Sequence, residues 1–137
     1  MIHRLPAAFQ RVIQDPETLL RLSGVKASSG GTWDMTFGRL YQTEAQLRSS
    51  TDRMAAAFLS DCYYGDRPER SPYMADINDF SEIICFAEDD EGAPFCFDYR
   101  LKTPEPTIVH WDGYAWLKVA DSFEEFIGLF QPALPNS

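Results

Sequence analysis

Histidine is the scarcest reactive residue in this chain. Among 137 residues there are only His3 and His110, too far apart to form a ligand-spaced pair. Cysteine is nearly as sparse. Cys62, Cys85 and Cys96 are odd in number and lack C-x-x-C spacing, which argues against a disulfide framework and a zinc site. They read as small core residues in a reducing compartment. Gly30-Gly31 is not followed by Gly-Lys-Ser/Thr, so there is no phosphate loop, and no Gly-x-Ser-x-Gly elbow occurs. A Cys–His couple between His110 and Cys85 or Cys96 requires adjoining hairpins with matched faces. A satisfied strand histidine is the better reading. Glu88-Asp89-Asp90-Glu91-Gly92 has charge suited to Ca²⁺ but not the alternating ligand spacing of an EF-hand. The expectation is a protein without catalytic residues, metal or cofactor.

Long apolar runs are missing too. No stretch approaches the ~20 residues of a membrane span, and residues 1–10 lack the apolar run of a secretory signal. A soluble, cytoplasmic chain is expected. Basic residues are in the minority, 12 Lys/Arg against 21 Asp/Glu, for a net charge of −9. Residues 1–70 hold nine Lys/Arg and eight Asp/Glu, whereas residues 71–137 hold three and thirteen, a balance of −10. Such a surface repels nucleic-acid phosphates and anionic membranes and attracts a basic protein. Simple solubility is the competing reading. The chain is 45% hydrophobic and 14% aromatic, a globular composition at a length suited to one domain spanning 1–137.

Leu5, Ala8, Phe9, Val12 and Ile13 form a helical stripe. Asp15-Pro16-Glu17 restarts a helix, with Gly24 as its stop. Ser28 to Gly31 reads as a loop and Trp33 to Tyr41 as a short extended segment. Thr43 caps a longer helix to Cys62 that buries Leu47, Met54, Phe58, Leu59 and Cys62. Ser49-Ser50-Thr51 weakens its middle and is a point of division. Residues 65–72 form a polar loop.

Two hairpins and a helix follow. A first turn around Asp90-Glu91 sets Phe86 opposite Phe95 and Ile84 opposite Phe97. Period-two alternation then gives Ile84, Phe86, Phe95, Phe97 and Tyr99 one face, and Ile83, Cys85, Cys96 and Asp98 the other. Asp112-Gly113 is a type I′ signal for the second hairpin, with Trp111 opposite Tyr114, Val109 opposite Trp116 and Ile108 opposite Leu117. Ser122-Phe123-Glu124-Glu125 is a capping box. Phe123, Phe126, Ile127 and Phe130 make the stripe that this last helix must bury.

These segments, in this order, resemble the SUKH superfamily. Asp79 to Ala87 is similar to the strand entering that family's acidic turn, and Gly92 to its glycine there. Phe97-Asp98-Tyr99 is similar to its aromatic-Asp strand end, Pro106 to Asp112 to its next strand, and Ser122 to Phe126 to its SFEEF-type helix. Leu5-Pro6 followed by Phe9 is similar to its LP-x-x-aromatic start. The superfamily includes a fungal cell-wall synthesis regulator and many bacterial immunity proteins, and its members are mostly binders. The resemblance implies an α+β fold, helices packed around a largely antiparallel sheet, and a protein-binding role. It implies an immunity-type protein that neutralises a cognate toxin, with a nuclease as the natural target of an acidic surface. The alternative is a scaffold or regulatory module with a non-toxin partner. The candidate contact region is Asp76, Asp79, Glu82 and Asp98 with Glu88, Asp89, Asp90 and Glu91 of the turn. A purely solvated face is the competing reading. Trp111, Tyr114 and Trp116 are candidate anchors, because aromatics dominate interface energies. Their competing reading is sheet core.

Overall fold

The computed structural model describes residues 4–15, 17, 26–29, 33–61, 77, 80–100, 104–111 and 116–130. Its frame is a six-stranded antiparallel sheet whose strands lie side by side in chain order. They are β1 (Lys26–Ser29), β2 (Trp33–Leu40), β3 (Ile83–Asp89), β4 (Pro94–Asp98), β5 (Thr107–Trp111) and β6 (Trp116–Ala120). Among the described residues the helices are α1 (Ala7–Ile13), α2 (Glu44–Asp61) and α3 (Phe123–Phe130). A 3₁₀ turn, Phe80–Glu82, leads into β3. The architecture is α+β, as the sequence implied.

One sheet face is packed with phenylalanine. Phe86 of β3 and Phe97 of β4 stack with centroids 4.2 Å apart. Phe9 of α1 meets Phe86, Phe97 and Phe123 edge-on at 5.8, 5.2 and 5.3 Å. Along α3, Phe126 stands 5.0 Å from Phe95, and Phe130 stands 5.4 Å from Phe37 of β2. These edge-to-face contacts align ring edges with ring faces, the favoured quadrupole geometry. All eight of these rings are at most 1% exposed. The cap expected for α3 is present, with Glu125 N donating to Ser122 Oγ at 3.2 Å. The Glu125 carboxylate accepts from the amide of Asp121, at 3.4 Å, one residue before the cap.

Helix α2 covers the other face, so β3 is buried on both sides. Strand β2 pairs with β3 from Ala87 onward, which leaves the Cys85 peptide groups needing partners. Thr51 and Ser50 supply them. Cys85 N donates to Thr51 Oγ1 at 2.9 Å, and Ser50 Oγ reaches the Cys85 carbonyl at 3.0 Å. The Ser49-Ser50-Thr51 run therefore does not divide the helix; its hydroxyls dock it. Gln46 N donates to Thr43 Oγ1 at 3.1 Å, and the Gln46 side chain accepts from Thr43 N at 3.3 Å. The expected Thr43 cap is thus reciprocal.

Other expectations are corrected. Lys26–Ser29 is an edge strand, not the start of a loop at Ser28, and its polar sequence hid a pairing with Trp33 to Thr36. In the first hairpin Ile84 does face Phe97, but a bulge places Ala87, not Phe86, opposite Phe95. In the second, Trp111 faces Trp116 and Val109 faces Lys118. That is a slip of two from the type I′ register, and slips of two keep each side chain on its face. Asp112, Gly113 and Tyr114 lie outside the described residues, as do most of the helix expected after Pro16 and the loop at 65–72.

Truncating the centre of the aromatic layer should be severe. We expect Phe126→Ala to lose about 3–5 kcal/mol in denaturant melts. A loss well under about 1 kcal/mol would mean that α3 does not bury this ring.

Candidate functional site

Strand β3 ends in a turn whose amides point back at one carboxylate. Asp89 Oδ1 accepts hydrogen bonds from Glu91 N at 2.9 Å and Ala93 N at 2.8 Å, the pattern of an Asx turn. Its Oδ2 lies 2.9 Å from His110 Nε2 on β5. Gly92 closes the turn with φ +88°, a conformation that favours glycine. The His110 ring stacks on Phe95 at 4.2 Å, and His110 and Asp89 are 2% and 9% exposed. Burial pushes the Asp89 carboxyl up. The bonds from His110, Ala93 and Glu91 outweigh it and hold the carboxyl below its usual range.

Strand β2 passes close against this turn. Asp90 N donates to Thr36 O at 3.2 Å. A Cβ on Gly38 would stand 2.4 Å from the Asp89 carbonyl oxygen, so the residue there must be glycine or the strands must part. The Asp–His pair has the form of the orienting half of a triad, yet His110 Nδ1 is buried and has no partner among the described residues. Cys85 and Cys96 alternate with the side chains of the His110 face, so the Cys–His couple lacks matched faces.

Solvent sees the tip. Asp90 and Glu91 are exposed, and Glu88 is half-buried. Glu88 Oε2 accepts from the Tyr41 hydroxyl at 3.0 Å. Burial, then Cys85 and Glu88, push the Tyr41 hydroxyl up to about 12, so it stays protonated and donating. Tyr41, Glu88, Arg53, Met54 and Pro94 line a cleft of about 290 Å³ between α2 and the hairpin. None of its long-range members was legible locally; Tyr41 and Glu88 are 47 residues apart.

The other candidate contacts are dispersed. Asp98 pairs with Ile83, next to Glu82, at the far end of the hairpin. At about 3.3 Å per strand residue that is roughly 20 Å from the tip. Asp98 is not offered to a partner. It is 5% exposed and bound by Arg100 through Nε at 2.9 Å and Nη2 at 2.7 Å. Asp89 is likewise engaged internally. Trp116 is 3% exposed and packs on Phe80 at 6.2 Å, whereas Trp111, 5.6 Å from Trp116, is half-buried. Trp116 is sheet core. Asp76, Asp79 and Tyr114 lie outside the described residues. Among the described residues no cluster of three or more His, Cys, Asp or Glu is arranged to hold a metal, and no helix is long and apolar enough to cross a membrane.

A protein-family model described as SMI1 / KNR4 family (SUKH-1) matches residues 17–128. No curated protein and no solved structure matches the chain.

Asp89→Asn should destabilise the fold by about 1–3 kcal/mol at neutral pH, because it removes a charged acceptor shared by three donors. The folded carboxyl titrates below the unfolded one. Its contribution is therefore complete above the unfolded value and is lost as pH falls through the folded value. Melts of the two proteins should accordingly converge in acid; a constant gap down to pH about 2 would contradict this account. Gly38→Ala should cost about 1–3 kcal/mol by overpacking against the turn backbone. An unchanged denaturant midpoint would mean that β2 and the turn are further apart.

Proposed function

The chain belongs to the SMI1 / KNR4 family (SUKH-1), and on that footing we propose that it is a non-catalytic, cytoplasmic binding protein of the immunity type. It engages a basic toxin domain, of the nuclease class, through the acidic tip of the β3–β4 hairpin. One observation carries this reading: Asp90 and Glu91 are exposed on a turn that the buried Asp89 has already shaped. A preformed turn loses little freedom on binding. The tip lies in the half of the chain that carries −10. A nuclease concentrates positive charge where phosphate binds, and an acidic tip fits such a surface and speeds encounter. The half-buried Glu88 and its cleft adjoin the same tip.

The test isolates a basic protein partner by pull-down and measures its binding to the wild type and to the variant Asp90→Lys/Glu91→Lys, which leaves Asp89 intact. Association should slow by about tenfold at low salt, with a smaller change in dissociation. Wild-type association should also weaken with salt, since screening shortens the field to about 8 Å near physiological ionic strength. Association that ignores both salt and the double substitution would remove the tip from the mechanism.

A further inference from the structure

Beneath α2 lie two thiols that pack in the core and that the binding reading does not use. Cys85 of β3 and Cys96 of β4 are direct partners in the strand register. Residues opposite each other in an antiparallel pair are about 4.5–5.5 Å apart at Cα. A disulfide spans about 4.4–6.8 Å. The two are free thiols here, on the same face of neighbouring strands. Cys96 Sγ rests 3.4 Å from Met54 Sδ of α2, and Cys85 Sγ lies 3.6 Å from the Ala87 carbonyl oxygen. Both are buried, at 3% and 0% exposed, and they differ in whether they line the cleft. Cys85 forms part of the wall of the cleft between α2 and the hairpin, beside Tyr41 and Ser50. Cys96 is 0% exposed.

We propose that Cys85 and Cys96 are a reversible redox pair, closed into a cross-strand disulfide by a low-molecular-weight disulfide that enters through the cleft. The Cys85 thiolate attacks one sulfur of the small disulfide and releases one small thiol. Cys96 then attacks the Cys85 sulfur of the mixed disulfide and releases the second. Each thiol that leaves carries off one proton, two in all, and the electrons of the two cysteines reduce the small disulfide. Burial, with the neighbouring Cys85 thiol, raises Cys96 well above its usual value. Cys85 lines the cleft and Cys96 does not, which gives Cys85 the first attack and Cys96 the resolving step. Closure draws Cys96 off Met54 and fixes the hairpin under α2, so the oxidation state reaches the cleft and the strands carrying the acidic tip. A transient, sensing disulfide of this kind is compatible with a reducing compartment.

The experiment uses the full chain with Cys62→Ser, reduced, freed of reductant and incubated folded with oxidised glutathione. We expect a mass loss of two hydrogens, no alkylatable thiol after denaturation, and a linked Cys85–Cys96 peptide that dithiothreitol dissolves. Adding Cys96→Ser should stop the reaction at one glutathione on Cys85. Two thiols that remain alkylatable in the Cys62→Ser chain overturn the pair. So does a final product that is only a glutathione adduct. An unmodified Cys85 in the Cys96→Ser chain overturns the cleft as the route of entry. The first measurement leaves both Cys85 and Cys96 in place, so it decides the matter even if Cys96→Ser does not fold.

Discussion

Both oxygens of Asp89 are bonded inside the protein, and four strands are arranged around that fact. A buried carboxylate without partners would cost several kcal/mol. Asp89 finds three donors, in Glu91 N, Ala93 N and His110 Nε2. Each constrains its surroundings. The two amides require a tight turn, hence Gly92 at φ +88°. The imidazole must come from β5, and it lies flat on Phe95 of β4. Strand β2 must pass within contact of the turn backbone, which Gly38 permits. Phe37, paired with Asp89, then joins the aromatic layer under α3. One buried charge thus sets residue types on β2, β3, β4 and β5.

What the sequence disclosed about the fold was whatever is encoded locally. Helix α3 was legible because its cap and its stripe lie within nine residues, Ser122 to Phe130. Phe97 opposite Ile84 was legible by alternation, yet one extra residue at the bulge moved Phe95 to Ala87. A bulge adds one unpaired residue to a strand, and nothing in the alternation of Ile83 to Asp89 marks where it falls. Strand β1 was missed because Lys26-Ala27-Ser28-Ser29 carries no apolar alternation; its pairing with β2 supplies what its composition does not. In isolation the hydroxyls of Ser50 and Thr51 signal helix weakness, because their partner, the Cys85 peptide, is more than thirty residues away.

The candidate site was legible as composition and not as arrangement. Counting acids placed Asp89, Asp90, Glu91 and Asp98 in one patch. Folding buried the first and the last and gave each a cationic or hydrogen-bonding partner. Charge is additive along a chain, but exposure is decided by strand register and by what lies across the sheet. His110 carried a usable hint. A histidine on a strand face otherwise aliphatic, opposite an aromatic strand that follows an acidic turn, needs an acceptor, and the turn holds the nearest carboxylates.

The same arrangement separates the anchor of the turn from its tip. At positions 90 and 91 the fold uses backbone: Asp90 N bonds to Thr36 O, and Glu91 N bonds to Asp89 Oδ1. The side chains there point to solvent. Any residue that keeps its N–H satisfies those bonds, so chemistry at 90 and 91 can change without altering the shape that presents it. Positions 38, 89, 92 and 110 lack that freedom, since each is held by its side chain or by the want of one. The tip can therefore vary while the stability of the turn rests elsewhere, on a carboxylate that is 9% exposed and bonded inside the protein.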